Sequence, residues 1–199
     1  MIESLDKSVG AILAAIRDCD LERNTMVIFT SDNGGYLTYN DQFNNISSNG
    51  RLRGQKTQLC EGGHRVPTIV SWPGRIRPGV TDEIGHSTDL LPTVASLAGV
   101  RSDRYDTDGV DLGPLLFHRK PLPNRMLFWR ADSEWAVRHG EWKLYAEESQ
   151  TELYNLDDDL GERRDRAAEN PTLVRELKDA WRQWEVNVNT SAKAHEEAL

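Results

Sequence analysis

The chain has 199 residues, 38% hydrophobic and 28% charged, as in an ordinary globular domain or a pair of small ones. Its 24 basic and 32 acidic residues give a net charge of −8, which argues against nucleic acid as the main partner, because phosphate binding needs clustered Lys and Arg. No apolar run is long enough to span a membrane, so no membrane partner is expected, and the opening "MIESLDKSVG" holds no recognisable signal peptide.

Ile2, Leu5, Val9, Ile12 and Ile16 recur at spacings of three and four, which predicts an amphipathic helix over residues 1–18. No Ser, Thr, Asp or Asn caps its start, so it reads as a helix entered already under way. Residues 25–31, "TMVIFTS", are apolar and β-rich without alternation, the pattern of a strand covered on both faces. Residues 35–50 are polar and Asn-rich and read as a long surface loop. A second strand is expected at "PTIVSWP", residues 67–73. A short helix follows over 89–98, with Thr88 or Asp89 as cap and Gly99 as stop.

After residue 122 the texture changes. "MLFWR", "EWAVRHG", "EWKLYAE" and "TELYNL" are short aromatic runs separated by turn residues, the mark of an antiparallel meander. A last helix over about 171–185 starts from Asn170 and Pro171, and the tail from Val186 reads as frayed. Residues 1–122 are therefore expected to form an α/β part and residues 123–199 a small antiparallel sheet with a packed helix. Two strong strands are few for a self-contained parallel sheet.

Several residues could carry chemistry. Asp32-Asn33-Gly34-Gly35 follows the first strand directly; Asn-Gly suits a hairpin turn, yet a carboxylate beside an amide also offers two hard oxygens to Ca²⁺ or Mg²⁺. Lys56 stands between Gly54 and the acidic Gly62-Gly63 turn and is either a solvated lysine or an anion contact. Glu61 and Arg65 read as a pair holding that turn. His86 and His139 read as structural before they read as substrate contacts, and Asp89 and Asp108 as cap and turn residues. The late tryptophans read as core, and Asp157-Asp158-Asp159 as a solvated turn. Cys19 and Cys60 are expected to be free, buried thiols. The glycosylation-type triplets at Asn45 and Asn189 carry little weight alone.

"TMVIFTSDNGG", "RGQKTQLCEGGHRVPTIVSWPG", "STDLLPTVASLAG" and "DGVDLGPLL", in this order and at these spacings, resemble the type I sulfatase family of the alkaline-phosphatase-like superfamily. "MIESLDKSVGAIL" and "AVRHGEWKLY…TELYNLDDDLGERRD" extend the resemblance over nearly the whole chain. It implies an α/β fold: part of an alkaline-phosphatase-like α/β/α sandwich, plus the small C-terminal sheet and helix. It implies a sulfuric ester hydrolase of the arylsulfatase or carbohydrate-sulfatase kind, acting on sulfated small molecules or carbohydrates. Asp32 and Asn33 then match the family's later pair of metal ligands, with Ca²⁺ as cofactor and Mg²⁺ as alternative. Lys56 matches the lysine that contacts the sulfate and the leaving oxygen. Such proteins are often secreted, periplasmic or lysosomal, which leaves the localisation of this chain undetermined.

The family's nucleophile is a hydrated formylglycine made from Cys in a C-x-P-S-R-type motif. Cys19 opens "CDLER" and Cys60 opens "CEGGH", and neither supplies it. Sequence alone therefore reads as the carboxyl-terminal portion of a sulfatase, expected to be inactive by itself and partnered by an amino-terminal half. His64 and Cys60 depart from residues common at those positions. A non-catalytic remnant or binding module, and a phosphate or phosphonate ester hydrolase, remain as alternatives; Asn33, where phosphatase-like relatives tend to carry His, speaks against the last.

Overall fold

A computed structural model describes residues 1–39, 43–44, 46–101 and 107–196. Two compact units emerge, each built from two chain segments: Met1–Thr30 with Thr68–Pro123, and Ser31–Pro67 with Asn124–Leu199.

In the first unit, helix α1 runs Ile2–Asp18 and ends at Cys19; no side chain caps its start and none of its residues is buried. Strand β1 (Val27–Thr30) pairs antiparallel with β4 (Thr68–Ser71), Val27 opposite Ser71 and Thr30 opposite Thr68. The expectation of a strand covered on both faces is corrected here: Phe29 and Ile69 are 43% and 60% exposed. The reason is that an apolar run reports affinity for a sheet but not the number of neighbours, and among the described residues β1 and β4 pair only with each other. Helix α3 (Leu90–Leu97) grows out of a 3₁₀ turn at Ser87–Asp89. Asp89 stands at the N-cap position of α3, one of the two expected caps, without a side-chain cap bond there; the 3₁₀ turn before it is capped by His86, whose ring nitrogen accepts from Thr88 N–H while Asp89 accepts the His86 N–H at 2.7 Å. Asp89 also accepts from Val110 N–H, tying the helix start to the loop before α4 (Gly113–His118). Asp108 lies in that loop, exposed, at a bend beside Gly109. Cys19 is exposed, against expectation, because it follows the last residue of α1, a helix none of whose residues is buried.

The second unit is centred on a four-stranded antiparallel meander. Its strands are β5 (Met126–Ala131), β6 (Glu134–His139), β7 (Trp142–Glu147) and β8 (Gln150–Asn155), in sequence order. Side chains alternate across it. Val137, Leu144 and Leu153 face α5 (Pro171–Glu196), whose Leu177 is fully buried among them. Ala136, Tyr145 and Tyr154 point the other way, onto Leu59 and Cys60. Both faces of this sheet are thus covered. The aromatic residues belong to these cores: Trp135 stacks on Trp181 with centroids 4.5 Å apart, and Phe128 on Trp184 at 5.3 Å. Helix α5 extends well beyond the expected end near 185. Arg130 reaches Asn189 at 3.0 Å and Glu185 at 3.5 Å, which anchors the segment taken from sequence as frayed.

Within the expected loop 35–50, β2 (Thr38–Tyr39) and β3 (Phe43–Asn44) form a two-residue antiparallel pair. Asn45 lies outside the described residues. Among the described residues no helix is long and apolar enough to cross a membrane.

Candidate functional site

Asn33-Gly34 does not close a hairpin, since the partner of β1 is the distant β4. Asp32 and Asn33 instead form a bend in the second unit, and Gly34 is buried. Gly34 N–H donates to Gly63 O at 2.8 Å. A Cβ at Gly34 would overlap Gly62 O, so the contact is one of backbone on backbone and demands glycine. Gly62 and Gly63 lie in the single turn α2 (Glu61–His64). Their own N–H groups donate to Arg53 O at 2.6 Å and Cys60 O at 2.9 Å. The Asn33 amide donates to Gly34 O at 3.0 Å, which leaves its carbonyl oxygen as an acceptor.

A second clamp holds Gly35. Its N–H donates to Asn49 Oδ1 at 2.9 Å, while Asn49 Nδ2 donates to both Gly35 O and Gly54 O at 3.0 Å. Gln55 Oε1 accepts from the N–H groups of Leu37 and Thr38. Lys56 N–H donates to Gly35 O at 3.3 Å, and its ammonium lies 5.6 Å from the centre of the Tyr36 ring, within cation–π range. Lys56 and Thr57 occupy the middle of a hydrogen-bonded turn closed by Gln58 N–H to Gln55 O at 3.0 Å. Thr57 has φ of 81°, a left-handed conformation.

Behind these loops sits a buried charge cluster. Lys143, on β7, is fully buried, with its ammonium 2.9 Å from Glu61 Oε1 and 2.8 Å from Glu162 Oε1. The Glu162 approach is an ion pair off the hydrogen-bonding direction; the other oxygen of Glu162 accepts Glu61 N–H at 2.7 Å. Arg65 and Arg138 reach Glu61 Oε2 at 3.3 and 3.5 Å. Burial alone would raise the Glu61 carboxyl, but Lys143, His64 and Arg138 outweigh it and hold the group below its usual range. At Glu162 burial wins and the carboxyl is raised. His64 is depressed to about 4 by burial and by the Lys143 ammonium 3.3 Å from its ring nitrogen. Arg53 links the loop to the sheet through Tyr154 Oη at 2.6 Å and Glu152 at 3.2 Å.

The sequence-derived candidates therefore share one unit. The Asp32–Gly35 loop and the Lys56 turn are joined through backbone, with Asp32 exposed and Asn33 and Lys56 half-buried. Among the described residues no hydrogen bond or ion pair links the Asp32, Asn33 and Lys56 side chains, and no group of three His, Cys, Asp or Glu stands ready for a metal. Asp32 and the Asn33 carbonyl suit a hard cation in kind but give two of the six to eight oxygens that Ca²⁺ takes. Glu61 and Arg65 do pair. His86 serves as a helix cap, and His139 ends β6 opposite Trp142. The Cys60 thiol is pushed up to about 11, mainly by burial, and is inert as a nucleophile. Sequence reading missed Lys143, Glu162, Arg53 and Asn49, because the groups that meet there come from distant segments.

A family model described as "Sulfatase" matches residues 1–100. Arylsulfatase A of Bos taurus is 40% identical over 147 residues, covering 71% of this chain and 28% of the relative. A "Sulfatase" of Formosa agariphila is 32% identical over 224 residues, covering 94% of this chain and 39% of the relative. The crystal structure of Ps i-CgsB in complex with k-i-k-neocarrahexaose superposes with a TM-score of 0.81 at 27% identity, over 92% of this chain and 41% of that one. The chain spans under half the length of each of these relatives.

Proposed function

The chain belongs to the sulfatase family, and from that premise we propose that it supplies part of the site of a sulfuric ester hydrolase acting on aryl or carbohydrate sulfates. The observation that carries this reading is the hydrogen bond from Lys56 N–H to Gly35 O, which sets the lysine turn against the loop that follows Asp32-Asn33. Asp32 and the Asn33 carbonyl would hold Ca²⁺, or Mg²⁺, together with oxygens from outside this chain. The cation, when bound, supplies positive charge against the sulfate oxygens. Lys56 orients the sulfate and offsets charge on the leaving oxygen; an ammonium about 4 Å away contributes on the order of 4 kcal/mol at an effective dielectric of 20.

The family's nucleophile finds no counterpart here. Cys19 lies exposed at a helix end and Cys60 is buried, each in the wrong sequence context. We assign no covalent step to this chain and propose that it does not turn over ester alone, the nucleophile coming from sequence beyond these residues. The same misfit favours a second reading, a sulfated-glycan binding module without catalysis.

Calorimetric titration of the chain with 4-nitrophenyl sulfate, in Ca²⁺ and in chelator, tests the site. Calcium-dependent binding that weakens in Asp32→Ala and Lys56→Ala is expected. Binding untouched by both substitutions, or none at all, would sink the assignment. A longer chain that adds a C-x-P-S-R-type segment separates the two readings: hydrolysis supports the enzyme, binding without turnover the module.

A further inference from the structure

Six non-glycine residues take positive φ among the described residues: Asp20, Thr57, Arg119, Asp132, Glu148 and Glu162. Thr57 stands apart as the only β-branched one and has the largest angle, 81°. The turn Gln55-Lys56-Thr57-Gln58 is closed by Gln58 N–H to Gln55 O, and a positive φ of this size at the third position is the signature of a type II turn. That position selects Gly or Asn, because a branched Cβ crowds the backbone there. Threonine is thus a poor choice for the local fold. Its side chain is exposed and enters neither core cluster. Nothing it does for packing offsets the strain, and strain of this kind concentrates at ligand clamps and catalytic loops.

We propose that Thr57 is a substrate-contacting residue, its hydroxyl donating a hydrogen bond to the sulfate ester held by the neighbouring Lys56. This rests on the reading of Lys56 given above. The turn carries Lys56 and Thr57 side by side, one ammonium and one hydroxyl, the donor pair that a monoanionic ester oxygen cluster accepts. Lys56 itself is fixed by its N–H bond to Gly35 O and by the Tyr36 ring. The strained φ then serves to hold the second donor beside the first.

Three substitutions in the full chain test this, each read by thermal unfolding and by calorimetry with 4-nitrophenyl sulfate in Ca²⁺. Thr57→Gly should raise the Tm by about 2–4 °C and weaken binding about tenfold, the change that 1.4 kcal/mol represents. Thr57→Val keeps the shape and the strain but lacks the hydroxyl, and should weaken binding alike with no gain in Tm. Thr57→Ser should keep binding within about twofold of the starting chain, a difference well short of that tenfold step. Thr57→Val that binds as tightly as the starting chain overturns the proposal, as does Thr57→Gly with an unchanged or lower Tm. If Lys56→Ala weakens binding while Thr57→Val does not, Thr57 alone is wrong. If neither matters, or the starting chain binds no ester, the site reading falls and this inference with it.

Discussion

The two units bury their apolar residues very differently. In the unit around β5–β8 both faces of the sheet are covered, one by α5 and one by the Leu59-Cys60 segment, and Val137, Leu144, Leu153 and Leu177 have no exposure at all. In the unit holding α1, β1, β4 and α3, the apolar residues Ile12, Ile69 and Leu91 are each more than half exposed, and α1 buries nothing. Periodicity was equally clear in both. Patterning therefore tells which face of an element is apolar, while burial depends on what that face meets. The candidate site residues Asp32 to Lys56 belong to the unit with the closed core.

Substitutions can break this contrast. The largest effect is expected for Lys143→Ala, which leaves Glu162 buried without its cation and Glu61 with only Arg65 and Arg138, and should lower stability by about 3–5 kcal/mol in urea unfolding followed by tryptophan fluorescence. Leu177→Ala should follow at about 2–5 kcal/mol, whereas Ile12→Ala in the open unit should stay within about 0.5 kcal/mol. Comparable losses from the two would show that α1 is packed in solution and the contrast unreal. Gly34→Ala drives a methyl into Gly62 O and should cost about 1–3 kcal/mol, with faster amide exchange at Lys56 as the local readout. The pH dependence is finer. His64 titrates near 4 when folded and near its ordinary 6.5 when unfolded, so the unfolded state binds the extra proton first. Its contribution is complete above about 6.5 and is lost as pH falls toward 4; His64→Gln should flatten stability across that window. A small effect is also expected at the exposed pair Arg182–Asp179, where Arg182→Ala should change stability by less than about 1 kcal/mol.

The meander was legible because aromatic runs, inward alternation and turn residues agreed with one another at every step. The reach of α5 past residue 185 was not, because Arg130, which anchors its far end, lies 59 positions away in sequence. The antiparallel sense of β1 and β4 was hidden for a similar reason: a four-residue apolar run specifies neither partner nor direction. At the candidate site, Asp32, Asn33 and Lys56 could be named through the family resemblance, since their glycine surroundings alone left a hairpin turn and a solvated lysine open. What stands behind them could not. Lys143 in "EWKLYAE" reads as the solvent face of a strand, and only the arrival of Glu61 and Glu162 from distant segments makes its burial sensible. Thr57 was invisible because composition carries no record of φ.

The Asn49 clamp has a chemical lifetime. Asn49 is followed by Gly50, and an asparagine before glycine loses its amide readily by succinimide formation with the next peptide nitrogen. In this fold the lost Nδ2 is the group that donates to both Gly35 O and Gly54 O. The aged side chain would present oxygen to two carbonyl oxygens, turning attraction into repulsion where the two glycine loops meet. Peptide mapping of stored protein should thus find deamidation at Asn49 rising together with loss of ester binding, while the distant meander keeps its fold.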